Sequence, residues 1–228
     1  MWRKILGSDV NRWWMGWRSE PGPLKDYYRR DFPTLNTPYD RMEFLAIDLE
    51  TTGLDPETDE ILSIGFVPIV NGRIKLADAV HLLVRPDRPV PEKTAVIHGL
   101  LDGTLAAAPP LAEIMPLVLR ALTGRVPVAH HARIERLFLS VACRRLYGRP
   151  LEVPFVCTLA LERRALARRA QEIRDGGLRL GQTRARYGLP RYRAHNALTD
   201  ALAAGELFLA QAAHASGRQS VQLASLLT

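Results

Sequence analysis

Cysteine is nearly absent from this chain, with Cys143 and Cys157 the only two in 228 residues. Two thiols cannot build a disulfide framework, and their separation matches no metal-ligand spacing, so they read as reduced thiols in the core. Lysine is scarce too, at Lys4, Lys25, Lys75 and Lys93 alone. No apolar run approaches the roughly 20 residues needed to span a bilayer. The opening Met1-Trp2-Arg3-Lys4-Ile5-Leu6-Gly7-Ser8 is basic but lacks the apolar core of a signal peptide. No internal repeat or long low-complexity tract interrupts the chain. These absences lead us to expect a cytoplasmic protein without a membrane span.

What is present suits one α/β domain with an extension, because 47% of the residues are hydrophobic. Lys and Arg together number 31 against 24 acids, a net charge of +7. Arginine supplies most of that excess, and its forked donors suit phosphate. Such a balance favours a polyanionic partner and says nothing about fold.

All four tryptophans (Trp2, Trp13, Trp14 and Trp17) fall within residues 1–41, among scattered basic residues. Pro21, Gly22, Pro23, Pro33 and Pro38 break this stretch, leaving room for a short helix over 24–30. We expect an extension that packs its tryptophans on the domain. The alternative is a docking arm for a partner, a membrane surface or a nucleic acid.

From Glu43 the patterning tightens. Residues 44–50, 60–70 and 74–84 read as an antiparallel meander, with Asn71-Gly72 as a hairpin turn. Helices are expected over 111–122, 132–147, 158–170, 178–187 and 196–213, with short strands at 125–130 and 153–156. Together they imply a mixed five-stranded sheet flanked by helices.

Within the first strand, Asp48 and Glu50 project from one face of an otherwise apolar run. Carboxylates there are costly unless a cation binds them, although a strand end with two solvated acids is the plainer alternative. Two later pieces carry related chemistry. Val128-Ala129-His130-His131-Ala132-Arg133-Ile134-Glu135 places Glu135 one turn into a helix after a strand. His195-Asn196-Ala197-Leu198-Thr199-Asp200 puts a histidine just before a helix and an acid inside its first turns.

In that order and at those intervals, the three pieces resemble the DEDDh 3′–5′ exonucleases, which include the proofreading epsilon subunit of the bacterial replicative polymerase. The similarity covers about residues 43–213 and includes Val96-Ile97-His98-Gly99-Leu100. It implies a ribonuclease-H-like fold, with an extension over 1–41, an exonuclease domain over 42–214 and a tail over 215–228. It also implies two Mg²⁺ or Mn²⁺ ions held by Asp48, Glu50, Glu135 and Asp200, with His195 as general base. Thr51, Ile97 and His98 would contact the terminal nucleotide of a nucleic acid 3′ end. Arg184, Arg186, Arg191 and Arg193 would draw phosphates or simply form a solvated face.

Two departures stand out. The family usually carries Asp where this chain has Glu135, and His-Asn where it has His130-His131. The added methylene moves a carboxylate by about 1 Å, enough to alter rate where geometry is demanding, and we read the result as a variant that remains active. A zinc site at His131 lacks companion ligands. The expected activity is release of nucleoside 5′-monophosphates from single-stranded or frayed DNA. The competing reading is a polymerase- or repair-associated binding module, held to its partner by the tryptophan-rich arm, with weak or no nuclease activity.

Overall fold

The computed structural model describes residues 12–89, 102–193 and 195–227. Among them, six strands form one mixed sheet. They are β1 (Glu43–Thr51), β2 (Ile61–Val70), β3 (Arg73–Ile74), β4 (Val80–Leu83), β5 (Val126–Ala129) and β6 (Val156–Cys157). The helices are α1 (Pro23–Arg29), α2 (Asp102–Ala106), α3 (Leu111–Leu122), α4 (Arg133–Tyr147), α5 (Thr158–Arg168), α6 (Leu180–Arg186), α7 (Ala197–Ala215) and α8 (Leu223–Leu226). The architecture is the α/β arrangement expected.

β1 and β2 pair antiparallel along their length, and a hairpin at Asn71-Gly72 joins β2 to β3. Both turn residues have positive φ, 50° and 71°, as a tight right-twisted hairpin requires. The expected third strand is interrupted. β3 pairs with the end of β2, a 3-10 turn at Leu76–Asp78 intervenes, and β4 then pairs with Ser63–Phe66. Six strands therefore occupy five positions, because β3 and β4 share one edge of β2. On the other side β5 and β6 add in parallel.

Alternation along β1 separates two cores. Leu45, Ile47 and Leu49 face a cluster containing Tyr27, Met115, Val118, Phe138 and Leu139. Phe44 and Ala46 face the other side, with Val67, Val128, Phe208 and Ala212. Asp48 and Glu50 continue that second face, since side chains repeat every two residues.

α7 lies on this face and runs back along β1. Its Phe208 stacks near Phe44, with ring centroids 4.6 Å apart. A Cβ on Gly205 would stand 3.0 Å from the Ala46 Cβ, so the helix is seated close. The tightest approach is at Gly65, which pairs with Asp48. A Cβ there would fall 2.1 Å from the carbonyl carbon of Ala197 and the nitrogen of Leu198. Only a residue without a side chain admits the first turn of α7 at that point.

The flanking segments also contribute. Leu24, Tyr27 and Tyr28 of α1 are buried in the first cluster, and Leu223 and Leu226 of α8 in the second. Backbone bonds from Leu223 and Ala224 to Thr37 and Leu35 tie α8 to the segment that leads into β1. Chain on both sides of the expected boundaries at 41/42 and 214/215 thus packs on one body.

Three of the four tryptophans do not pack as expected, and Trp2 lies outside the described residues. Residues 12–18 are helical, and Trp13, Trp14 and Trp17 are 66%, 45% and 67% exposed. Arg12 fastens this stretch instead. It is buried, donates to the Tyr27 hydroxyl at 2.6 Å and to the Glu152 carbonyl at 3.0 Å, and lies over the Tyr27, Tyr28 and Phe32 rings. The Tyr28 hydroxyl donates to the Pro150 carbonyl and accepts from the Glu152 amide, so both tyrosines find polar partners inside.

Gly65→Ala should destabilise the fold by about 1–3 kcal/mol or more, because the clash is with backbone that cannot rotate away. Urea denaturation measures this. A variant as stable as wild type would mean α7 does not depend on that glycine for its seat.

Candidate metal centre

β1 delivers Asp48 and Glu50 at the end where its apolar face gives way to acids, and α7 delivers Asp200 from its first turn. Asn196 caps that helix by accepting from the Thr199 amide at 3.0 Å. Three carboxylate oxygens, one each from Asp48, Glu50 and Asp200, lie within 4.8 Å of one another. Glu50 is buried, while Asp48 and Asp200 keep partial access to solvent.

Burial and repulsion push Asp48 and Asp200 towards the protonated form. Asp48 is raised well above the usual carboxylate range, first by burial and then by the charges of Glu135, Glu50 and Asp200. Asp200 is raised by burial and by Glu50, against the lowering effect of the His195 amide. Three hard oxygens that repel each other in the absence of a cation are a fitting donor set for a divalent ion.

Glu135 stands beside this trio. It lies in the first turn of α4, is buried, and its Oε2 has no hydrogen-bond partner. Burial raises its pKa to about 8. It is near enough to Asp48 to be the largest charge acting on it, yet it lies outside the cluster of three.

His195 is exposed, and its backbone amide donates to Asp200 Oδ2 at 2.8 Å. Its φ is +71°, a left-handed conformation that side chains other than glycine rarely adopt. Thr51 ends β1 where the register against β2 shifts, and its hydroxyl donates to the Gly53 carbonyl at 2.6 Å. Ile97 and His98 lie outside the described residues.

Two of the four arginines expected to attract phosphate do other work. Arg184 is 2% exposed and bonded on several sides within the protein. Arg186 pairs with the buried Glu162 at 2.7 Å. Both guanidiniums satisfy internal acceptors, whereas Arg191 and Arg193 are exposed.

Other positioning groups escaped the sequence reading. Gly65 was the detectable one, since a glycine inside a strand marks a bulge or a close approach. His130 was another. Its Nε2 bonds the Leu178 carbonyl and its Nδ1 the Thr158 hydroxyl, both at 2.8 Å. A carbonyl only accepts, so Nε2 carries the proton and Nδ1 accepts from Thr158. Burial lowers its pKa to about 4, keeping this ring neutral. It pins the chain that leads into α6, and no zinc-type cluster forms around His131 among the described residues. Cys143 and Cys157 are both buried and free, and no described helix is long and apolar enough to cross a membrane.

A family model described as exonuclease (RNase_T) matches residues 45–208. A PolC-type DNA polymerase III of Thermotoga petrophila is 33% identical over 171 residues, which are 75% of this chain and 12% of that protein. The chain thus spans about an eighth of the PolC-type relative. A DNA polymerase III subunit epsilon of Treponema pallidum is 32% identical over 180 residues, covering 77% of this chain and 79% of that one. The nuclease domain of 3′hExo, a DEDDh family member bound to rAMP, superposes with a TM-score of 0.63 at 16% identity, over 76% of this chain and 92% of that domain. That last likeness concerns the fold alone.

A carboxyl whose folded pKa exceeds its unfolded value holds a proton that the unfolded chain has released. For Glu135 that window runs from the ordinary 4.5 to about 8, and stability falls as pH rises through it. In EDTA, wild type should therefore lose melting temperature from pH 5 to pH 8 more steeply than Glu135→Gln. Mn²⁺ should raise the wild-type melting temperature more at pH 8 than at pH 5, since protons compete for its ligands. Equal pH slopes in the two proteins would count against the buried, protonated Glu135.

Proposed function

The chain belongs to the exonuclease (RNase_T) family, and from that premise we propose that it is a metal-dependent 3′–5′ exonuclease. The observation that carries this reading is the convergence of Asp48, Glu50 and Asp200 from β1 and α7. Its substrate would be a single-stranded or frayed 3′ end, DNA rather than RNA by analogy with the polymerase-associated relatives.

Asp48, Glu50 and Asp200 would hold one divalent ion and Glu135 would support a second, Mg²⁺ or Mn²⁺ in each case. Such ions, when bound, polarise the attacking water and neutralise charge on the leaving oxygen. The protein's own share is orientation and proton transfer. His195, exposed beside Asp200, would take the proton of the attacking water on its imidazole. Water oxygen bonds to phosphorus as the bond to the 3′-oxygen of the preceding nucleotide breaks. That oxygen would take a proton from solvent water while His195 returns its own to solvent, and a nucleoside 5′-monophosphate would be released. The backbone at Thr51 would meet the terminal 3′-hydroxyl, with Ile97 and His98 against the last base.

Glu135 is the departure from the usual set. Its arm starts from the first turn of α4 close to Asp48, and its buried, unpartnered oxygen supports a role in holding the second ion. The outward-facing Trp13, Trp14 and Trp17 favour a second role beside catalysis, capture of a polymerase or repair protein through aromatic anchors. The buried free thiols suit a reducing, cytoplasmic setting.

With Mg²⁺ or Mn²⁺, purified protein should release 5′-monophosphates from a labelled single-stranded oligonucleotide and stop in EDTA. Asp48→Ala, Glu50→Ala and Asp200→Ala should each lower kcat at least about a hundredfold with the fold retained, and Glu135→Asp less than about tenfold. An inert wild type on matched DNA and RNA would sink the reading. Replacing Trp13, Trp14 and Trp17 together by Ser should abolish partner capture while leaving the basal rate of hydrolysis unchanged; undiminished capture would remove the docking role.

A further inference from the structure

The segment between α6 and α7 carries His195, and one buried guanidinium ties that segment to the helix bearing Asp200. Arg184 donates from Nε and Nη2 to the Pro190 carbonyl at 3.3 and 2.9 Å. Its Nη1 donates to the Ala203 carbonyl at 2.6 Å, and Nη2 also reaches Glu206 Oε2 at 2.7 Å. The Tyr192 ring lies against it, 4.5 Å from centroid to guanidinium carbon. The Tyr192 hydroxyl closes the arrangement by donating to Glu206 Oε1 at 2.9 Å. Ala203 and Glu206 both belong to α7, so the loop is fastened to the element that supplies Asp200.

We propose that Arg184, Glu206 and Tyr192 form a clamp that positions His195 over the metal centre. The inference rests on the general-base reading of His195 given above. His195 has a left-handed backbone, φ +71°, that its side chain does not favour. A strained residue keeps such a conformation only when the chain on both sides is fixed. Downstream, the Asn196 cap and the His195 amide bond to Asp200 fix it. Upstream, the clamp holds Pro190 and Tyr192. An imidazole that must meet a water beside Asp200 then starts from a defined place and swings through a short arc. Loosening Pro190 would widen that arc without touching the carboxylates.

The fork of the guanidinium is essential to this arrangement. One arginine satisfies Pro190, Ala203 and Glu206 at once, in a plane that also stacks on Tyr192. A lysine keeps the charge beside Glu206 but cannot serve all three acceptors. Arg184→Lys therefore separates positioning from charge, and Tyr192→Phe removes only the hydroxyl bond to Glu206. Arg184 is a positioning residue, since it acts through the loop and not on substrate.

The test is a double-mutant cycle on the full chain. kcat and KM on a single-stranded oligonucleotide with Mg²⁺ are measured for wild type, Arg184→Lys, His195→Ala and the double variant, below the melting temperature of each. Arg184→Lys should lower kcat about tenfold with KM changed less than about twofold, and Tyr192→Phe about threefold. In the His195→Ala background, Arg184→Lys should lower the residual rate no further, because the clamp has nothing left to position. A wild-type kcat for Arg184→Lys, or the same tenfold loss with and without His195, overturns the clamp. A wild-type kcat for His195→Ala overturns the general-base reading, and the clamp with it.

Discussion

The structure turns on how closely one helix can approach one sheet. α7 rests on β1 and β2 through residues with little or no side chain, Gly65, Gly205 and Ala46. That contact decides where the N-terminus of α7 lies, and so whether Asp200 stands beside Asp48 and Glu50 or several ångströms away. The same face of β1 is apolar under the body of the helix, at Phe44 and Ala46, and acidic under its first turn. The burial that stabilises one half of the face raises the pKa of Asp48 in the other half and of Asp200 on the helix above it. The neighbouring acids reinforce that tension on Asp48, and a bound cation would relieve it.

The elements around this contact serve to hold it. His130, kept neutral by burial, links β5 to the chain before α6 through Leu178 and to α5 through Thr158. Gln211 of α7 donates to the Thr158 carbonyl and to Glu162, which also receives Arg186 and Tyr187. This polar network is buried and joins three helices behind the sheet. Arginines that composition suggested were free for phosphate are spent inside the protein, on Glu162 and Glu206. The basic balance of the chain therefore overstates the charge available to a polyanion near the site.

Much of this was legible in the sequence, and for a physical reason. Alternation in β1 puts Asp48 and Glu50 on one face, and a strand of that kind has few other arrangements. Pro110 before α3, Gly148 after α4 and Asn196 before α7 marked helix ends that the structure reproduces within about two residues. What sequence did not carry was packing. A strand glycine such as Gly65 signals a close approach without naming what approaches, and only the seat of α7 supplies the partner. The split of the third strand into β3 and β4 follows from a local 3-10 turn, too short to show in periodicity. Tryptophans are apolar enough to suggest burial, but Tyr27 and Tyr28 took the inner positions because their hydroxyls could be satisfied by Arg12, Pro150 and Glu152.

Glu135 stands apart from the other acids of the site. It is buried, it has an oxygen without a partner, and its acidity is shifted to about 8, whereas Asp200 remains bonded to the His195 amide. A carboxyl in that state waits for a positive group and does not belong to a completed network. It also lies outside the three-oxygen cluster while acting strongly on Asp48. A side chain one methylene shorter, on the same helix turn, would have less reach towards Asp48. The proposed second metal would supply the positive partner that this buried oxygen lacks.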